Sequence, residues 1–421
     1  MKQIWKFLTS LRLTAVLLAL GIVLVFVGTV AQADEGLYQA QARYFKHWWV
    51  FGISFWGHQV PLPLPGGYLI GTALLINLIA AHIQRFQWTW KKAGIHLTHL
   101  GVILLLVGQL TTDIFSYETQ LRFVEGQSKC YSESYRDYEL AFVADGGDGS
   151  EDVTVVPQGL LAKVGEISSP GLPVTIRVKS YWNNTDLPAF RAPMQQNGPP
   201  MAANGVAKQF DFRSVPDSKT MDGKNIPTAL VEFVSANRES LGTWVVSGWT
   251  DDENMLTYYT QKYAEVAGPA MAKTIVGKLS ESQVIQTGGK TYTISLRPVR
   301  VYTPFTLTLL KATHTTYPGR PDLPKDFRSR VRLQNPETSE NREVEIYMNT
   351  PLRYAGLTFY QFQMAAGEMA QEAGRTPSST LQVVRNPSWL TPYGGCIIVA
   401  VGLITQFMIH LVGFMRKRMT A

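Results

Sequence analysis

The residues of this chain best suited to chemistry are two histidines, His96 and His99, in the apolar stretch Gly94-Ile-His-Leu-Thr-His-Leu-Gly-Val-Ile-Leu-Leu-Leu-Val-Gly108. Three positions on a helix is close to one turn, so both imidazoles lie on one side of it. An ionisable side chain inside a segment apolar enough to enter a bilayer is costly, and so marks a functional-site candidate. Neutral imidazole is a frequent metal ligand and an axial ligand of haem iron. The competing bland reading is a hydrogen bond to a lipid headgroup or a neighbouring carbonyl.

Other chemistries find little support. There is no nucleophile elbow, P-loop, dinucleotide fingerprint, HExxH or paired-carboxylate constellation, and no catalytic residue stands out. The two cysteines, Cys130 and Cys396, form neither a CxxC nor a CxxCH site. That argues against a dithiol oxidoreductase or a c-type cytochrome, and no disulfide is expected between them. The formal charge of +7 is accounted for by basic flanks of membrane helices and by membrane lipid, so no nucleic-acid partner is expected.

The elements that must position the histidines follow from hydropathy. At 421 residues, 45% hydrophobic and 17% charged, with a mean hydropathy of −0.02, the chain has a mixed membrane and soluble composition rather than a purely globular one. Four apolar runs separated by basic clusters predict a cytoplasmic start and first spanning helix over 1–32, then an exported aromatic loop over 33–66. A second helix follows over 67–84, a cytoplasmic loop over 85–93 and a third helix over 94–112. A large exported domain covers 113–387, the fourth helix 388–415 and a cytoplasmic tail 416–421. Ala31-Gln-Ala33 resembles a signal cleavage site, but the preceding run is long for a signal peptide and three more hydrophobic segments follow. Lys2, Lys6, Arg85, Lys91, Lys92 and Arg416-Lys-Arg418 put both termini and the 85–93 loop inside. This gathers four of the seven histidines in one leaflet: His82 closes the second helix, His96 and His99 open the third, and His410 lies near the inner end of the fourth.

Gly21 and Gly28, Gly101 and Gly108, and Gly395 and Gly402 each recur at seven residues. Such spacing admits close helix packing or a flat cofactor against the backbone. His47 and His58 bracket the aromatic loop, where interfacial anchoring accounts for the rings, and His314 reads as an ordinary sheet histidine. Through 113–387 short β-branched or alternating runs, among them Val174-Thr-Ile-Arg-Val-Lys-Ser-Tyr181 and Ala229-Leu-Val-Glu-Phe-Val234, predict an antiparallel sandwich-like assembly. Residues 261–279 read as a helical interruption and 183–224 as a long loop or lid.

Several stretches together resemble the ResB (CcsB) family of System II cytochrome c biogenesis proteins. They are Phe7-Leu-Thr-Ser-Leu-Arg-Leu-Thr14 with Gly28-Thr29, His99-Leu-Gly-Val-Ile-Leu-Leu-Leu-Val-Gly108, and Pro324-Lys-Asp-Phe-Arg-Ser-Arg-Val-Arg-Leu333. With them go Met348-Asn-Thr-Pro-Leu-Arg-Tyr-Ala-Gly-Leu-Thr-Phe-Tyr-Gln361, the most specific, and Asn386-Pro-Ser-Trp-Leu-Thr-Pro-Tyr-Gly-Gly395. The resemblance implies a multi-pass protein of the bacterial inner membrane with a periplasmic domain. Such a protein acts with a CcsA-type membrane partner to transport b-type haem outward and attach it to apocytochrome c. It further implies a haem-ligating histidine near the cytoplasmic end of a helix. His99 fits that role best, then His96, His82 and His410. The partner's tryptophan-rich motif is absent, and His47-Trp-Trp49 is no substitute, so the chain is expected to be part of a haem lyase complex rather than a complete enzyme. Two other readings stay open: a b-haem membrane anchor of a respiratory complex, and a scaffold that touches no haem.

Overall fold

The computed structural model describes residues 2–55, 58–147, 149–191, 199–218, 223–252, 255–318, 320–366 and 376–419. The chain divides into a mainly helical unit, Met1–Tyr117 with Arg385–Ala421, and a sheet unit, Glu118–Ser218 with Lys224–Val384. Among the described residues, four helices are long and apolar enough to cross a membrane.

In the helical unit, α1 (Lys2–Leu8) leads into α2 (Leu11–Glu35), whose N-terminus is capped by Ser10. Gly36, at φ 81°, ends α2 and admits the short α3 (Leu37–Ala40) and a π-helical turn, Gln41–Phe45. The aromatic loop is in fact partly built as a two-stranded antiparallel hairpin, Trp49–Phe55 against His58–Pro65. Proline lacks an amide donor, but in a two-stranded ribbon both strands are edges, and Pro63 and Pro65 are tolerated opposite Phe51 and Trp49. The chain then turns sharply into α4 (Gly67–Arg85). A Cβ at Gly66 would lie 2.0 Å from the His47 carbonyl oxygen, and one at Gly67 would lie 2.4 Å from that of Phe45, so only glycine fits.

Asn77, 1% exposed in the middle of apolar α4, has an internal reason. Its amide donates to the carbonyls of Leu8 (2.6 Å) and Ser10 (3.2 Å), while its Oδ1 accepts from the Thr14 hydroxyl at 2.6 Å. It thereby satisfies backbone groups exposed where α1 gives way to α2. The 3-10 turn Trp90–Lys92 then launches α5 (Ala93–Phe115).

The sheet unit is an antiparallel, sandwich-like assembly, as the alternating runs predict. A ten-stranded sheet centred on the long strands Ser128–Gly147 and Lys290–Tyr317 shares a core with a four-stranded sheet containing Thr175–Trp182 and Thr228–Val234. Leu140 and Phe142 come from the first sheet and Ile176, Val231 and Phe233 from the second, with the Phe142 and Phe233 rings 5.7 Å apart and edge-on. A single turn, α6 (Gln158–Leu161), closes one edge. The helical interruption is two helices, α7 (Leu256–Ala267) and α8 (Pro269–Leu279), broken by Gly268 at φ 80° and restarted by Pro269.

The described part of 183–224 is packed structure rather than a lid. Strands Ala189–Phe190 and Phe210–Asp211 pair, and Val206, Ala207 and Phe210 enter the core; residues 192–198 and 219–222 lie outside the described residues. At its end, Lys224 makes a buried ion pair with Asp252, which also accepts from the Tyr138 hydroxyl at 2.9 Å. Burial, with Asp252 alongside, holds the Tyr138 phenol well above its ordinary pKa.

The last helix, α9 (Thr391–Met419), returns antiparallel along α5. A Cβ at Gly94 would stand 2.5 Å from the Gly402 carbonyl oxygen, one at Gly101 2.9 Å from that of Gly395, and one at Gly108 2.7 Å from Thr391 Cβ. The seven-residue glycine spacing on these two helices is therefore a packing device that brings two backbones together.

Candidate functional site

The turn joining α4 to α5 brings three histidines together. His82 lies one turn before the end of α4, His96 in the first turn of α5 and His99 one turn on. The His82 ring stands edge-on to both others, with centroids 5.1 Å from His96 and 5.5 Å from His99. Phe86 and Trp88, in the turn itself, complete the arrangement: Phe86 lies 5.0 Å from His96, and Trp88 is nearly parallel to that ring at 13° and 6.3 Å. All three imidazoles are half-buried, whereas Phe86 and Trp88 are largely exposed.

Hydrogen bonding restricts what each ring can offer. His96 Nε2 lies 2.9 Å from the Gln87 carbonyl, which can only accept, so a neutral His96 carries its proton on Nε2. Its Nδ1 is then an acceptor, buried without a partner. His82 Nδ1 and His99 Nδ1 face each other at 3.4 Å. Two neutral rings can share that contact only if one donates and the other accepts. The donor keeps a lone pair on Nε2; the acceptor carries its proton there. The pair thus presents one ligating Nε2 at a time, held in place by the other ring, as an outer hydrogen bond orients a metal-bound histidine. Among the described residues no group of three His, Cys, Asp or Glu side chains could hold a bare metal ion.

The same two helices meet again at their far ends. The Tyr68 hydroxyl donates to Asp113, and Lys46 Nζ lies 2.9 Å from Asp113 Oδ1. Tyr68, Leu75 and His82 are spaced by seven on α4, as are Asp113, Leu106 and His99 on α5. The pairs Tyr68–Asp113 and His82–His99 are therefore in one antiparallel register, and Leu75 and Leu106 line a common cavity between them.

His410 stands apart from the three. It is exposed on α9, its Nε2 2.9 Å from Gln406 Nε2, and Gln406 reaches the Lys91 carbonyl at 3.3 Å. His47 bonds the Ala42 carbonyl at 2.8 Å, and His314 stacks on Phe327 at 4.6 Å in the sheet. Sequence reasoning read Arg85-Phe-Gln-Trp-Thr-Trp-Lys-Lys92 only for its charge and so missed Phe86 and Trp88. Aromatic residues in a turn flanked by histidines were the available signal. It also passed over Asp113 and Tyr68, whose signal was an acid in the last turns of an apolar helix, seven-residue multiples from His99.

Comparison with known proteins adds one finding: residues 253–378 match the ResB-like family model. Among curated proteins none matches the chain. The matched stretch lies in the sheet unit, contains α7, α8 and the long strand Lys290–Tyr317, and excludes all four candidate histidines. The resemblance read from the sequence is thus met by a ResB-like match over residues 253–378, which at the level of the family supports a role related to cytochrome c biogenesis.

Proposed function

We propose that the chain is a membrane subunit of a System II cytochrome c synthase, receiving haem at the histidine cluster and passing it outward for attachment to apocytochrome c. The observation that carries this reading is the His82–His99 pair, which can present one lone-pair Nε2, in a cluster that the exposed Phe86 borders through His82 and His96 and the exposed Trp88 through His96. One axial nitrogen and an aromatic surface suit a flat haem held as cargo, with the second axial ligand coming from a CcsA-type partner. His99 is assigned as ligand and His82 as the ring that orients it. His96, committed to Gln87, supports the cluster from the side. A resident b-type haem with two axial ligands from this chain draws less support, because the pair yields one ligand at a time and the other free lone pair of the cluster, on His96 Nδ1, is buried.

In this reading the basic loop after α4 faces the cytoplasm of a bacterium and the sheet unit lies in the periplasm, where it meets apocytochrome. The test is the absorbance spectrum of the purified protein, with and without partner, together with holocytochrome c yield. His99→Ala is expected to abolish co-purified haem and His82→Ala to reduce it, while His410→Ala leaves it unchanged. Undiminished haem and yield in both His99→Ala and His82→Ala would refute the assignment.

A further inference from the structure

A cavity of about 310 Å³ opens between α4 and α5 near the ends remote from the histidines. Its polar groups form two tiers. At the mouth, Lys46, Tyr68 and Asp113 are joined to one another. Thr72, half-buried, and Gln109, exposed, line the cavity four residues further along α4 and α5, one helical turn or about 6 Å away. Neither makes a side-chain hydrogen bond within the protein among the described residues. Between and below the tiers the walls are apolar, with Leu75, Leu106 and Leu110. Gly71 adds a flat patch: a Cβ placed there would meet nothing within 4 Å.

An amide and a hydroxyl without partners in helices apolar enough to span a membrane are unfavourable, and a ligand that supplies their partners relieves the cost. The lower tier is uncharged, and the charges at the mouth neutralise each other. Both facts disfavour an ionic headgroup at the second tier. They suit a neutral, flat, apolar body with a hydrogen-bonding atom at each end, about one helical turn apart. The oxygens of a para-quinone, set across a six-membered ring, have that arrangement.

We propose that this cavity binds the head of an isoprenoid quinone or quinol, its ring against Gly71. One oxygen lies at the Lys46 and Tyr68 tier, the other between Thr72 and Gln109, and the tail leaves past Leu75 and Leu110 into lipid. The proposal is independent of the haem reading.

The test uses the full chain in phosphatidylcholine nanodiscs, photolabelled with an azidoubiquinone and competed with decylubiquinone. Label is expected on peptides covering 68–75 or 106–113, displaced by decylubiquinone. It should fall at least tenfold in Gly71→Leu, whose side chain fills the open space, and several-fold in Gln109→Leu. Should Gly71→Leu melt far below the parent protein, the double variant Thr72→Val with Gln109→Leu provides the same readout without filling the cavity. Equal labelling of a folded variant and the parent, or label confined to other segments, would overturn the proposal. So would displacement by phosphatidylethanolamine as effective as by decylubiquinone, which would identify a phospholipid site.

Discussion

Helix α5 meets its two neighbours in opposite ways. Toward α9 it presents Gly94, Gly101 and Gly108, and the backbone of Gly402 and Gln406, that of Gly395 and Val399, and the Thr391 side chain come so close that no side chain fits between. Toward α4 it presents His99, Leu106 and Asp113, with polar ties only at the two ends and a cavity along the face. Small residues let helices approach closely, so the first face fixes position and leaves no room, with hydrogen bonds from Ser388 to the Gly108 carbonyl and from Gln406 to the Lys91 carbonyl at its ends. The second is held by a few hydrogen bonds, and its unfilled space sits beside Lys46, Tyr68 and Asp113 at the end remote from the histidines. Rigidity and chemistry are thus divided between two sides of one helix.

The sharpest way to break this contrast is on the glycine side. Gly101→Ala would place a methyl 2.6 Å from Val399 Cγ2 and 2.9 Å from backbone atoms of Gly395 and Val399. A loss of about 3 kcal/mol is expected in thermal unfolding followed by circular dichroism, since backbone cannot yield as a side chain can. Next comes Asn77→Leu, which strips partners from the carbonyls of Leu8 and Ser10 and from Thr14. The expected loss is about 2 kcal/mol by the same assay, and proteolysis should speed up near residue 10. Tyr68→Phe removes only the donor to Asp113. It should cost about 1 kcal/mol and leave bound haem unchanged, separating the far end of the α4–α5 pair from the histidine end. Least of all, Gly71→Ala faces open space and should stabilise by about 0.5 kcal/mol through better helix propensity. A large destabilisation by Gly71→Ala would mean that the cavity side is as tightly packed as the glycine side.

The glycine seam was legible because a seven-residue period needs nothing but counting, and Gly101, Gly108, Gly395 and Gly402 display it. Gathering His82, His96 and His99 was likewise within reach, since a short basic turn between two spanning helices forces neighbouring ends together. His410 escaped that logic. It shares a helix with the residues packed on the other side of α5, and depth along a membrane says nothing about which side of a helix a residue faces. The sandwich could be read from alternation in Val174–Tyr181 and Ala229–Val234. The extent of Ser128–Gly147 and Lys290–Tyr317 could not, because polar and charged residues interrupt the alternation and the pairing partners are far away in sequence. Pro61, Pro63 and Pro65 hid the hairpin at Trp49–Phe55, as a breaker in most strands is harmless in a ribbon of two.

The register of α4 against α5 also has a mechanical side. With Tyr68 opposite Asp113 and His82 opposite His99, the two helices resemble a ladder that keeps only its top and bottom rungs. Sliding one rail along the other would break both rungs at once, so the pair resists shear. Spreading the rails apart midway strains neither rung much, and the stretch into which the cavity extends from the Tyr68–Asp113 rung, as far as Leu75 and Leu106, is the place where this helix pair can open sideways.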